Sequence, residues 1–210
     1  MTKKHDIIWL ESLDSTNNEV ARRILSLDNL SVVSAYSQTQ GRGRRGNIWI
    51  SEPGENLTFS VMLKYGDEVA GNFPCFPAKE QEVISAITAV SIIELLSEYG
   101  IDAKIKLPND IYVGDKKICG ILIEHAVKGE FLNHSIIGIG LNINQCNFDV
   151  NLPNPTSMAV CLKEKGSDCS PISTEDCLNL FLDIYKRNLR LLNEGRDFSK
   201  LLESMRALLR

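Results

Sequence analysis

The 210-residue chain is long enough for one enzyme-sized domain, since a chain of this size buries about 70% of its unfolded surface. Its 23 Lys and Arg against 27 Asp and Glu leave a net charge of −4, which argues against the broad positive surface that DNA or RNA as main partner would need. Hydrophobic content of 43% and charged content of 24% are globular values, and no stretch approaches about 18 consecutive apolar residues, so disorder and a membrane span are both excluded.

The basic start Met1 to Asp6 is followed by only a short apolar run, Ile7 to Leu10, too short for a signal-peptide core and therefore pointing to the cytoplasm. That run reads as a strand. A helix follows, its start signalled by Thr16 with Glu19 three residues on, the spacing of a capping box. Ser31 to Tyr36 is a second strand. From Gln38 to Asn56 periodicity vanishes while Gly41, Gly43, Gly46 and Gly54 accumulate, marking a long loop of the kind kept for function. Leu57, Phe59, Val61 and Leu63 then alternate with Thr58, Ser60, Met62 and Lys64, predicting a half-buried strand.

After a linker with Pro74 and Pro77, helical spacing of Val83, Ala86, Ile87, Val90, Ile93 and Leu96 predicts a helix over Lys79 to Tyr99, stopped by Gly100 and packed on a sheet. Short strands at Ala103 to Lys106 and Ile111 to Val113 flank a Pro108-Asn109-Asp110 turn, and the Gly114-Asp115 pair turns the chain into a strand from Lys117 to His125. Ser135 to Asn144 is the last strand. Beyond Asn151 come a Pro-rich loop and helices, the longest from Thr174 to Glu194. Hairpin-paired strands with clustered helices favour an α+β fold over a doubly wound one. Six cysteines (Cys75, Cys119, Cys146, Cys161, Cys169, Cys177) show no C-x-x-C spacing, and with three histidines they read as buried free thiols, not as a metal site or disulfides.

Three segments carry chemistry. Gly41-Arg42-Gly43-Arg44-Arg45-Gly46 combines glycines that let a ligand approach the backbone with guanidinium groups suited to carboxylate or phosphate; a flexible basic loop has the same composition, and the P-loop spacing is absent. Lys106 to Asp110 with Lys117 and Gly120 can turn Asn109 and Lys117 toward one ligand, or form a solvated hairpin. Gly138 and Gly140 lie in a strand, where glycine indicates close approach of a ligand or tight packing.

Taken together, Asp14-Ser15-Thr16-Asn17, Gln38 with Gly41 to Gly46 and Trp49, Lys106 to Asp110 with Lys117 to Glu124, and Gly138 to Asn142 resemble the catalytic domain of biotin protein ligases. The resemblance implies a mixed, largely antiparallel sheet backed by helices, akin to class II aminoacyl-tRNA synthetase catalytic domains. It implies ATP-dependent activation of biotin to biotinyl-5′-AMP and transfer to a lysine of a biotin carboxyl carrier protein or domain, with ATP and Mg²⁺ required, the ion held by the triphosphate oxygens with no protein ligand assigned to it, and room for a homodimer. By position it assigns Ser15, Thr16, Gln38, Gly41, Arg42, Gly43, Arg44, Lys117, Gly120 and Gly138 to biotin, with Ser15, Thr16 and Gln38 at the ureido ring and thiophane end. Arg44, Trp49, Asn109 and Asn142 are assigned to ATP, and Arg42, Arg44 and Lys117 to catalysis. Thr16 is equally a helix cap, and Asp110 is either the group that accepts the lysine proton or a turn-stabilising residue.

Two departures stand out. The family usually has Trp where this chain has Leu107. The catalytic domain is expected over 1–195 with a helical, basic tail over 196–210, without the small C-terminal β-barrel or the N-terminal winged helix found in some members, which is the pattern of the non-repressor type. The competing readings are a lipoate-protein ligase, whose motif after paired arginines contains three glycines in a row, and a non-catalytic biotin sensor.

Overall fold

The computed structural model describes residues 7–66, 71–167, 170–193 and 198–209, apart from the side chains at 200 and 204. Met1 to Asp6, Cys169 and the expected boundary at 195/196 lie outside them. The strands are β1 (Ile7–Leu13), β2 (Val32–Gln38), β3 (Leu57–Lys64), β4 (Phe76–Pro77), β5 (Lys104–Lys106), β6 (Asp110–Val113), β7 (Lys116–Lys128) and β8 (Phe131–Leu141). The helices are α1 (Thr16–Arg22), α2 (Glu82–Glu98), α3 (Met158–Glu164), α4 (Thr174–Leu189) and α5 (Ser199–Ala207). The strands form one sheet in the order β1-β2-β3-β8-β7-β6-β5, with β4 beside β8. Only β1 and β2 run parallel, so the α+β class and the largely antiparallel sheet are as expected.

Strand alternation sorts side chains onto two faces. Leu57, Phe59, Val61 and Leu63 of β3 join Ile137, Ile139 and Leu141 of β8 under α2 and α4 in the main core. There Phe59 meets Phe181 edge to face at 5.2 Å, and Phe181 stacks on Tyr185 at 5.2 Å. Helix α2 is apolar almost all round because it lies between the sheet and α4. It ends in a Schellman motif, with Ile101 N–H donating to Leu96 O and Gly100 N–H to Ser97 O at φ +70°. Helix α5 packs on α2, with Leu201 in the core. On the other face α1 covers a smaller cluster of Val20, Leu27, Val33, Met62 and Ile136.

That second layer corrects several expectations. β3 is buried on both faces, because Thr58, Ser60 and Met62 lie on the α1 side of the sheet where solvent was expected. Lys79 falls in a 3-10 turn (Ala78–Glu80) before α2, and α4 stops at Leu189 before a second 3-10 turn (Arg190–Leu192). β8 ends at Leu141; Asn142 N–H still donates to Ile118 O of β7, but the next amide, Ile143 N–H, donates to the Asn56 side chain instead. Cys119, Cys161 and Cys177 are buried free thiols, but Cys75 and Cys146 are exposed. Among the described residues no helix is long and apolar enough to cross a membrane.

Beneath α2, His125 Nδ1 lies 2.7 Å from the buried Ser135 hydroxyl, which is 3.1 Å from Tyr65 Oη. Burial lowers the pKa of His125, and burial followed by Lys64 lowers that of His134, both from an ordinary 6.5. A lowered folded-state value means that the unfolded chain binds more protons below pH 6.5, so folding stability falls as pH drops through that value. Melting temperature should decline from pH 7 to pH 5, and His125→Gln should flatten part of that slope; a slope identical to wild type would remove His125 as its source.

Candidate active site

Two rows of the sheet make the floor of a pocket of about 130 Å³ on the α1 side. Ladder pairing sets Thr58, Gly140, Gly120 and Asp110 side by side across β3, β8, β7 and β6, and next to them Ser60, Gly138 and Leu122. Side chains at the glycine positions would fill this space. A Cβ on Gly140 would come within 2.3 Å of the Trp49 indole, one on Gly120 within 3.0 Å, and one on Gly138 within 2.3 Å of Asn17 Oδ1. The strand glycines are thus matched to two side chains seated on the sheet.

Asn17 arrives from α1, whose first turn is sunk into the pocket with Ser15, Thr16 and Asn17 all buried. Ser15 occupies the N-cap position without a side-chain capping bond, and Thr16 is the first helical residue. The cap reading of Thr16 fails because its hydroxyl is engaged elsewhere, 2.7 Å from Ser60 Oγ. Its N–H donates to Gln38 Oε1 at 2.8 Å, so α1 and the end of β2 are fixed to each other at the pocket wall.

Trp49 comes from the long glycine-arginine loop, which folds back as a small hairpin: Trp49 N–H donates to Gly41 O at 3.0 Å and Gly43 N–H to Asn47 O at 2.8 Å. Its tip holds Arg45 at φ 55° and Gly46 at φ 81°, a left-handed turn that glycine adopts at little cost. A Cβ on Gly41 would sit 2.2 Å from Trp49 O, so the two hairpin arms could not close around a side chain there.

Three cations converge on the pocket. Lys117 Nζ lies 2.7 Å from Asp110 Oδ1 and 5.7 Å from the centre of the Trp49 ring; Lys116 points outward to Glu164, so the solvated-hairpin reading holds for one lysine of the pair only. Arg42 pairs with Glu124 Oε1 at 2.8 Å and donates to Asn18 Oδ1 at 2.8 Å. Asn18 in turn donates to Asp14 Oδ2. Hydrogen bonds from Arg22, then Asn18, hold the Asp14 carboxyl well below the usual carboxylate range. Arg44 reaches Asn109 Oδ1 at 3.5 Å, while Asn109 Nδ2 donates to Ile121 O at 2.9 Å. Trp49 Nε1 is buried with no hydrogen-bond partner, a donor directed at a space that a ligand atom could fill.

Of the residues singled out from sequence, Ser15, Thr16, Gln38, Arg42, Gly43, Arg44, Trp49, Asn109, Lys117, Gly120 and Gly138 line this one pocket. Gly41 lies just outside, in the hairpin that closes it. Asn142 is not brought there; its Nδ2 donates to Thr156 O at 2.9 Å, tying the end of β8 to the segment before α3. Leu107 is exposed. Asn17, Ser60 and Glu124 were missed as site residues, although Asn17 and Glu124 sit inside the quoted motifs. Ser60 carried no signal of its own, since its hydroxyl falls beside that of Thr58 on the alternating polar side of the strand.

The arrangement offers a neutral polar end at α1 and a cationic end at the hairpin, chemistry suited to binding a carboxylate or phosphate beside a neutral polar group. Residues 9–142 match the model of the Biotin/lipoate A/B protein ligase family. The chain belongs to that family. Over 142 residues it is 33% identical to the Bifunctional ligase/repressor BirA of Bacillus subtilis, covering 67% of this chain and 40% of that one. It is 29% identical over 134 residues to the Biotin--[acetyl-CoA-carboxylase] ligase of Paracoccus denitrificans, covering 64% of this chain and 53% of its relative. The match therefore spans about two fifths to about half of these relatives. Among solved structures, the biotin protein ligase from Aquifex aeolicus in complex with biotin and ATP superposes with a TM-score of 0.75 at 25% identity, over 97% of this chain and 78% of that one. The Leishmania major biotin protein ligase in complex with biotinyl-5-AMP gives 0.73 at 26% identity, over 98% and 81%.

Proposed function

We propose that this chain is a biotin–[biotin carboxyl-carrier protein] ligase, working in the cytoplasm, that forms biotinyl-5′-AMP from biotin and ATP and passes the biotinyl group to a carrier lysine. The observation that carries the reading is the convergence of four separated motifs on one pocket with a neutral and a cationic end. Thr16 and Gln38 supply hydrogen-bonding groups for a cyclic urea, and Gly138 leaves space over the sheet. Arg42, Arg44 and Lys117 surround the place where carboxylate and α-phosphate must meet, offsetting their repulsion and stabilising charge that builds at phosphorus. Trp49 and Asn109 border the nucleotide side.

Acylating a lysine with a free acid is uphill, and the mixed anhydride makes the acid a better donor. The attacking lysine must lose a proton, for with a reference pKa of about 10.4 only roughly one in a few thousand is neutral at pH 7. Asp110 is engaged by Lys117 at 2.7 Å, which suits it to orienting that lysine. No three His, Cys, Asp or Glu side chains converge as a metal site among the described residues, so they do not fit an Mg²⁺ site of their own; Mg²⁺ belongs to this reading as the companion of the triphosphate oxygens.

The test is incubation with ATP labelled at the α-phosphate and either biotin or lipoate. Biotin-dependent appearance of an acyl-adenylate is the expected result. An adenylate formed with lipoate alone would make the protein a lipoate ligase, and biotin binding without any adenylate would make it a sensor.

A further inference from the structure

The hydrogens of the Arg42 guanidinium can be accounted for atom by atom. Nη2 donates to Glu124 Oε1 at 2.8 Å and Nη1 to Glu124 Oε2 at 3.3 Å, so the far end of the group forms a fork on that carboxylate. The other Nη1 hydrogen goes to Asn18 Oδ1 at 2.8 Å. Nε–H and the other Nη2 hydrogen lie together on the remaining side, and they have no partner among the described residues. That side is a second fork, spaced for two oxygens of one carboxylate or phosphate.

Glu124 cannot aim this fork by itself. The side chains of Arg42 and Glu124 are 42% and 38% exposed, and an exposed ion pair leaves long side chains room to swing. Asn18 is short and stands on α1. Its carboxamide has one orientation, because Nδ2 lies 2.8 Å from Asp14 Oδ2, an acceptor, and the carbonyl must then face Arg42, which has only donors. Asp14 is gripped in turn by Arg22, from Nη2 to Oδ1 at 2.7 Å and from Nη1 to Oδ2 at 3.1 Å. Hydrogen bonds from Arg22, then Asn18, keep the Asp14 carboxyl ionised and accepting. Being neutral, Asn18 fixes the guanidinium without cancelling more of its charge. We infer that Asn18, anchored by Asp14, is a positioning residue that acts through Arg42 and turns its free fork to the point in the pocket where carboxylate and phosphate meet. The inference rests on the proposed function, which sets that meeting point among Arg42, Arg44 and Lys117.

The experiment is biotin-dependent pyrophosphate exchange in wild type, Asn18→Leu, Arg42→Ala and the double variant. Asn18→Leu keeps bulk on α1 and removes the acceptor, so exchange should fall roughly five- to tenfold, the scale of one hydrogen bond. The double variant decides what that loss means. With no guanidinium left to aim, losing Asn18 should lower exchange by less than about twofold beyond Arg42→Ala, since residues acting through one contact do not add. A side chain that merely supports α1 would lower exchange by the same factor in both backgrounds, and losses that multiply overturn the inference.

Asp14→Ala is a second variant that leaves both bonded groups of the Asn18–Arg42 contact in place. It frees the Asn18 carboxamide to turn over, so exchange should fall roughly threefold where Arg42 is present and stay level where it is not. Wild-type exchange in either single variant, Asn18→Leu or Asp14→Ala, also overturns the positioning role and leaves the proposed function standing. A wild-type protein without biotin-dependent exchange would sink that function, and the positioning role with it.

Discussion

Biotin-dependent pyrophosphate exchange should fall roughly ten- to a hundredfold in Lys117→Ala, and by a similar factor in Arg42→Ala, since each removes a charged hydrogen bond from a recessed site at a cost of about 1.5 to 3 kcal/mol. Lys117 is the more sensitive of the two. Its ammonium sits between Asp110 at 2.7 Å and the face of Trp49, so truncation leaves a carboxylate facing the incoming biotin carboxylate, replacing attraction by repulsion. Arg42 is tied to Glu124 and Asn18, and without it Glu124 keeps Asn17 as donor. The matching control is Lys116→Ala. That neighbour carries the same charge, but it is exposed and pairs with Glu164, and exposed ion pairs contribute little; exchange within about twofold of wild type is expected. Equal exchange in wild type, Lys117→Ala and Arg42→Ala would remove both cations from the reaction.

What could be read from the amino acids, and what could not, divides by the range of the contact involved. The α2 helix and its glycine stop follow from spacing within a few residues, and so does the glycine-arginine hairpin, since loops that must approach a ligand accumulate glycine locally. The pocket residues were legible because motif order along the chain survives folding. Thr16 was ambiguous for the opposite reason. A capping box and a ligand hydroxyl look the same in a local window, and the choice is made by Ser60, 44 residues away. The same distance effect hid the burial of β3: alternation along a strand says that two faces differ, not that a short helix such as α1 covers the more polar one. Thr58 and Ser60 are buried on the α1 side of the sheet rather than facing water, and they satisfy their hydroxyls on the neighbouring strand β2 and on α1 respectively, as buried polar groups must. Gly138 and Gly140 announced a close approach without naming the neighbour, which proves to be Asn17 for one and Trp49 for the other.

Gly140→Ala should displace the Trp49 indole and lower adenylate formation by roughly a hundredfold, the scale of loss when a site is misplaced by about an ångström. The new Cβ would lie 2.3 Å from Trp49 Cε2, 2.6 Å from Cζ2 and 2.7 Å from Nε1, distances at which one partner has to move. Gly140 cannot, for β8 is held between β3 and β7 by both ladders. The ring can. Its buried Nε1 has no hydrogen-bond partner to lose, so leaving the floor gives up apolar contact with Gly120 and gains hydration. Stability should therefore change far less than activity. Fluorescence reports the movement directly, because the chain has two tryptophans and the other, Trp9, is stacked on Tyr36 at 5.2 Å on the β1–β2 edge of the sheet. Emission should shift to the red in Gly140→Ala, and the shift should be absent in Gly140→Ala combined with Trp49→Ala. If the indole only fills the trough, that double variant relieves the clash and recovers exchange; if Trp49 is part of the nucleotide site, exchange stays low. Unchanged emission together with wild-type exchange in Gly140→Ala would mean that the indole does not lie on this strand in solution.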